Sequence, residues 1–224
     1  FKALWVNGER AQRSRHPNAG FFRPESNPKD APNTAIIYKP GDVNHNWTNF
    51  QDIDAWVYHS WTASFHGLAL AIPSERRLVF QNPSGYPFGK WGDARYYFEN
   101  VREALDAPGE WYLDRAGGVL SYLPKPGEDP GKMEFVAPFA TRLLDVQGDP
   151  KGGIFVENVE VSGIRFLHTD RDFETTEKVD GQAFVGVRKA MLWATGLKNA
   201  SFIGCEFAHG NLHAVWLEKG CFNV

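Results

Sequence analysis

The sequence predicts a mainly β fold: a right-handed parallel β-helix over residues 136–224, preceded by an antiparallel β-rich domain with one short helix over residues 1–135. Three observations lead there. Residues 156–170 (VENVEVSGIRFLHTD) lie without a gap on residues 197–211 (LKNASFIGCEFAHGN) at an offset of 41, with Asn158/Asn199, Gly163/Gly204, Phe166/Phe207 and His168/His209 identical. Residues 190–200 lie on residues 214–224 at an offset of 24, keeping Ala190/Ala214, Gly196/Gly220 and Asn199/Asn223. Val159, Val161, Ile164 and Phe166 alternate with period two on either side of Gly163, as strands joined by a corner do. A repeat in the twenties built of short strands suits a solenoid, and the chain lacks the Leu ladder that a leucine-rich repeat of that length requires. The difference between the two offsets places a 17-residue insertion between about residues 170 and 186.

Taken in order, Leu4-Trp5-Val6 reads as a strand entering an Asn7-Gly8 turn, and Arg10, Arg13 and Arg15 read as a solvated strand face. Residues 24–34 are loop. Residues 35–38, 55–65, 67–72 and 77–81 carry the β-branched and aromatic runs of an antiparallel domain. Residues 97–107 offer Phe98, Val101 and Leu105 at helical spacing before Pro108-Gly109, which predicts a helix. Residues 110–123 read as a hairpin around Asp114-Arg115-Ala116-Gly117-Gly118, and the Pro/Gly run 124–130 is a linker.

With 22 Gly, 14 Pro, 2 Met and 14% aromatics, the composition favours strands and turns over long helices. A net charge of −3 gives no electrostatic footprint for nucleic acid. No run approaches the ~20 apolar residues of a membrane span. Cys205 and Cys221 fill positions that the repeat gives to Ile164 and Leu197, so they read as small core residues rather than a disulfide. No His or Cys pair has the spacing of a metal site, and no cofactor is implied. The sequence begins at Phe1 without Met and stops just inside a repeat, at Val224. The expectation is a processed N-terminus and a piece of a longer protein.

The runs EALDAPGEWYLDRAGGVLSYLPKPGEDP, VYHSWTASFH and LWVNGERAQRSRHPN, with the closing pattern GIRFLHTD, GCEFAH and LEKGC, resemble bacterial right-handed parallel β-helix proteins that act on polysaccharides. Within that group the chain is similar to glycoside hydrolases with α-L-fucosidase and xylanase activity, on a solenoid of the pectate-lyase type. The resemblance spans nearly the whole chain and implies a secreted or periplasmic protein with a catalytic surface along the coil. It brings no catalytic pair, because the family's acids lie on coils further along.

Glycoside hydrolysis takes two carboxyl groups across the scissile bond. Asp170 and Asp172 in the insertion and Glu218 on the last strand are the catalytic candidates, though a charged loop is commonly only solvated. For substrate binding the candidates are Trp61, His66, His213 and Trp216, since a sugar offers an apolar face to an aromatic ring and hydroxyls to polar groups. His168 and His209 share the parity of the core positions and are expected to stack inside the coil. The reading is the N-terminal portion of a hydrolase acting at the ends of fucosyl or xylosyl glycans, with an oligo- or polysaccharide as partner. A polysaccharide lyase and a non-catalytic carbohydrate-binding or adhesive β-helix remain as alternatives. By itself the chain is expected to be inactive.

Overall fold

The structure is a computed structural model that describes residues 1–92, 94–171, 181–184 and 186–224. The chain divides into two compact units.

The larger unit comprises Ala11–Met133 and Phe173–Val187. Its frame is a six-stranded antiparallel sheet in the order Arg15–His16, Arg95–Glu99, Asp54–Tyr58, Ala63–Ile72, Arg77–Phe80 and Ala35–Ile37. Ile36, Ala55, Val57, Leu68, Leu78, Tyr96 and Phe98 alternate inward from these strands and are fully buried together. The predicted hairpin forms between Glu110–Asp114 and Val119–Tyr122, and Gln12–Arg13 runs parallel to its first strand.

Residues 97–107 do not form the expected helix. Arg95–Glu99 is a strand that pairs with Asp54–Tyr58, and only Arg102–Ala104 turns, as a single 3-10 segment. The spacing of Phe98, Val101 and Leu105 fits a helix, but Tyr96 and Phe98 also alternate, and pairing inside the sheet decides between the two. Nor is Arg13 solvated. Its side chain is 6% exposed, and Nη1 lies 2.7 Å from Asp54 Oδ2 and 3.4 Å from Glu99 Oε2.

The smaller unit comprises Phe1–Arg10, Glu134–Asp172 and Arg188–Val224. Trp5–Val6 pairs with Glu9–Arg10 through a turn in which Asn7 and Gly8 both hold positive φ (51° and 81°), as a type I′ turn requires. On its other side the same strand pairs with Phe135–Val136. Three parallel ladders follow. They join Leu144–Gln147, Ala190–Thr195 and His213–Leu217; Val156–Ser162 with Leu197–Ile203; and Arg165–Leu167 with Glu206–Ala208. The 41-residue offset is the register of the second and third, with Val156 opposite Leu197 and Phe166 opposite Phe207. A small core of Leu192, Ala194, Leu197 and Ala200 lies inside them.

The expected class, a right-handed parallel β-helix, is corrected by these pairings. Among the described residues eight of thirteen strand pairings are antiparallel. The parallel ladders are two or three strands deep and form no solenoid. The three parallel ladders enclose only the small core of Leu192, Ala194, Leu197 and Ala200. The larger core belongs to the antiparallel sheet. The chain is therefore mainly β, built of short sheets that are mostly antiparallel. The expected loop over residues 170–186 falls largely outside the described residues. Among the described residues no helix is long and apolar enough to cross a membrane.

Candidate functional site

The three-stranded parallel sheet turns one face to its core, with Leu144, Val146, Leu192 and Ala194, and therefore displays the alternate positions on the other. Asp145, Trp193 and Trp216 occupy one row across that face. The two indoles are parallel, with centroids 5.7 Å apart and planes 5° apart. The Arg142 guanidinium lies over Trp193 at 4.8 Å and also meets Asp145 Oδ2 at 2.6 Å. Gln147 Nε2 donates to the same oxygen at 3.0 Å.

At the other side of the indole pair, Trp216 Nε1 donates to Glu218 Oε1 at 3.2 Å, and Arg188 Nη1 lies 3.5 Å from that oxygen. The His213 ring meets Trp216 edge-on at 5.0 Å. The face thus combines a flat apolar strip with two carboxylates, each oriented by an arginine. Such a strip can stack on the C–H face of a pyranose while the rim binds hydroxyls.

Sequence comparison alone obscures this strip. At the gapless offset of 24, Trp193 falls on Leu217, whereas the sheet pairs Ala190 with His213 and Trp193 with Trp216, an offset one residue shorter. The longer offset returns at Lys198 opposite Phe222. One extra residue in the turn before Gly220 shifts the register, and a one-residue shift moves every side chain to the opposite face. That shift hides Trp193, while Arg142 and Gln147 lie outside both repeated segments and join the strip only through the pairing of Leu144–Gln147 with Ala190–Thr195. Shortening the offset by one residue, so that the tryptophans coincide, is the signal that finds the pair.

A solved structure named "Glycoside hydrolase" superposes on this chain with a TM-score of 0.68 at 20% identity, over 96% of this chain and 44% of its own. The chain has a glycoside hydrolase-like fold. It spans less than half the length of that neighbour. No family model and no curated protein matches the sequence.

The remaining predicted residues are dispersed. Asp170 accepts from the Lys2 backbone N–H at 2.8 Å and from Asn211 Nδ2 at 3.4 Å, and lies 3.6 Å from the terminal amine of Phe1. Asp172 lies outside the described residues. His66 belongs to the larger unit and has no exposed surface: Nδ1 meets Asn82 O at 3.0 Å and Nε2 meets Ser64 Oγ at 2.7 Å. Trp61, on the same unit, is 64% exposed and packs on Trp91 at 4.6 Å. Among the predicted residues that are described, His213, Trp216 and Glu218 are the ones the structure brings together. His168 and His209 stack at 4.7 Å with planes 7° apart, and both meet Trp5 edge-on.

Among the described residues no group of three His, Cys, Asp or Glu side chains could hold a metal ion.

Proposed function

We propose that the chain binds a polysaccharide across the Trp193/Trp216 strip and is part of a glycoside hydrolase acting at the ends of fucosyl or xylosyl glycans. One observation carries the reading: two coplanar-facing indoles lie between the carboxylates of Asp145 and Glu218 on one sheet face. The likeness in fold to a protein named as a glycoside hydrolase agrees with it. A periplasmic or extracellular setting, where polysaccharides are met, belongs to the same proposal.

The two carboxylates differ in how they could serve hydrolysis. Asp145 stands on the first strand of the sheet, while Glu218 lies one residue beyond the end of the third, which closes at Leu217, so two strand spacings of ~4.8 Å lie between them, before the offset along the strands. A retaining pair needs ~5–5.5 Å and an inverting pair ~6.5–9.5 Å. In this proposal the two flank the sugar as binding groups, and at most one joins an acid from outside this sheet to make the catalytic pair. Bond cleavage is assigned to the whole protein, while the chain itself binds.

The test is calorimetric titration of the full chain with xylo- and fuco-oligosaccharides, alongside reducing-sugar assays on the same substrates. Binding without turnover is expected, and Trp216→Ala and Trp193→Ala should each weaken it about tenfold or more, the effect of removing a stacking anchor. Unchanged affinity in both variants would overturn the assignment of the strip. Turnover abolished by Glu218→Gln would instead show that the pair is complete within the chain.

A further inference from the structure

The larger unit holds an apolar cleft that the strip does not use. It has a volume of about 320 Å³ and lies between the loop that precedes Asp54–Tyr58 and the strand Ala63–Ile72. Trp47, Phe50, Ala69, Leu70, Ala71 and Pro73 form its apolar walls, while His45 and Gln51 supply its polar groups. None of these residues carries a carboxylate, an ammonium or a guanidinium.

A bulge makes the strand wall. Leu68 lies opposite Phe80 and Leu70 opposite Val79, so Ala69 is an extra residue on its strand. Two residues apart in a regular strand, Leu68 and Leu70 would face the same way, yet Leu68 is fully buried in the core and Leu70 is 52% exposed at the cleft. The loop wall is fixed from behind. Trp47 meets His16 edge-on at 5.6 Å and Phe98 at 5.2 Å. Asn49 Nδ2 donates to Asn100 O at 2.7 Å, and the backbone N–H and hydroxyl of Thr48 both donate to Glu103 Oε1, at 3.0 and 2.9 Å. The polar groups keep bonding capacity in hand. The Tyr38 hydroxyl lies 3.1 Å from His45 Nε2, while among the described residues His45 Nδ1 and the Gln51 amide have no hydrogen-bond partner.

We infer that this cleft binds a small uncharged aromatic compound bearing a hydroxyl group, with its ring against Trp47, Phe50 and Leu70 and its hydroxyl at Gln51 and His45. Size and polarity together select the ligand. A dry apolar cavity of about 150 Å³ holds benzene, so a cleft of twice that volume takes a ring with a short substituent. A pyranose would bring four or five hydroxyls to two polar side chains, and those left unpaired against apolar walls oppose binding. An ionised ligand would find no charged partner among the lining residues. The cleft stands on the larger unit alone and does not depend on the reading of the Trp193/Trp216 strip.

Calorimetric titration of the full chain with methyl 4-hydroxycinnamate tests it, on a Trp216→Ala background so that the strip contributes nothing. Saturable binding at one site is expected, with methyl cinnamate, which lacks the ring hydroxyl, about tenfold weaker and a methyl xyloside not bound. Leu70→Gln should weaken binding about tenfold or more by placing an amide in the apolar wall. The pair His45→Ala/Gln51→Ala should bring methyl 4-hydroxycinnamate down to the affinity of methyl cinnamate. Leu70, His45 and Gln51 are all exposed, so these changes leave the core intact, and an unchanged circular dichroism spectrum checks this. No saturable binding, equal binding of methyl cinnamate or of the xyloside, or unchanged affinity in either variant overturns the inference. So does a dimer in sedimentation that Leu70→Gln dissolves, which would give the cleft to a second copy of the chain.

Discussion

Asn223 Nδ2 donates to Asn199 Oδ1 at 2.8 Å, and the two residues, with Asn158 one repeat earlier, all hold left-handed backbone at φ of 55°, 51° and 59°. Asparagine tolerates that conformation where a branched or larger side chain does not, and its amide can bond to the next residue along the stack. Asn199→Ala should therefore cost about 2 kcal/mol, from ~1–2 kcal/mol of backbone strain and a lost hydrogen bond. Asn199→Gly should cost less, because glycine keeps the backbone and loses only the amide. Urea denaturation of both variants checks the order, and an alanine variant as stable as the glycine one contradicts it.

The stacked histidines predict a pH dependence. Burial and the neighbouring His209 hold the His168 imidazolium pKa below its ordinary value of 6.5, and Glu134 offsets this only in part. Above that value both folded and unfolded chains carry the neutral ring, and the stability is full. As the pH falls through 6.5 the unfolded chain takes up the proton first, so stability drops until the folded ring titrates as well. Melting at pH 5 should come at a lower temperature than at pH 7.5. His168→Asn, which tolerates the observed φ of 60°, should narrow that difference.

Arg13 lies between two buried carboxylates, and its guanidinium also covers Trp111 at 5.6 Å. Arg13→Ala leaves Asp54 and Glu99 buried side by side without their cation. The expected loss is about 3–5 kcal/mol, the range for breaking a buried ion pair from one side. Triple replacement of Arg13, Asp54 and Glu99 by apolar residues should cost much less than the single change. Equilibrium unfolding of the two variants provides the comparison.

Gly148 is set by space rather than by conformation. A Cβ there would lie 2.9 Å from Ile154 O and 3.0 Å from both Gly196 O and Thr195 O, all backbone atoms that strand pairing holds in place. Gly148→Ala should destabilise the smaller unit by about 1–3 kcal/mol, the usual cost of overpacking. The readout is the loss of near-ultraviolet signal from the stacked Trp193 and Trp216 during urea unfolding, which should shift to lower denaturant.

Some of this protein was determined by sequence alone. The 41-residue register could be read because identical Asn, Gly, Phe and His side chains repeat, and repeated residues occupy repeated environments. The Asn7-Gly8 turn and the hairpin over residues 110–123 could be read because their geometry is fixed by a few neighbouring φ angles. Tertiary structure decided what depends on distant partners. Arg95–Glu99 became a strand because Asp54–Tyr58 was available to pair with it, and Arg13 became buried because Asp54 and Glu99 arrived from other strands. Among the described residues the parallel ladders have two or three strands and the antiparallel sheet has six, and the larger buried apolar cluster lies on the antiparallel sheet. Trp193 meets Trp216 because one residue in a turn shifts the register, and the energy of packing across the sheet, rather than any local preference, fixes which faces meet.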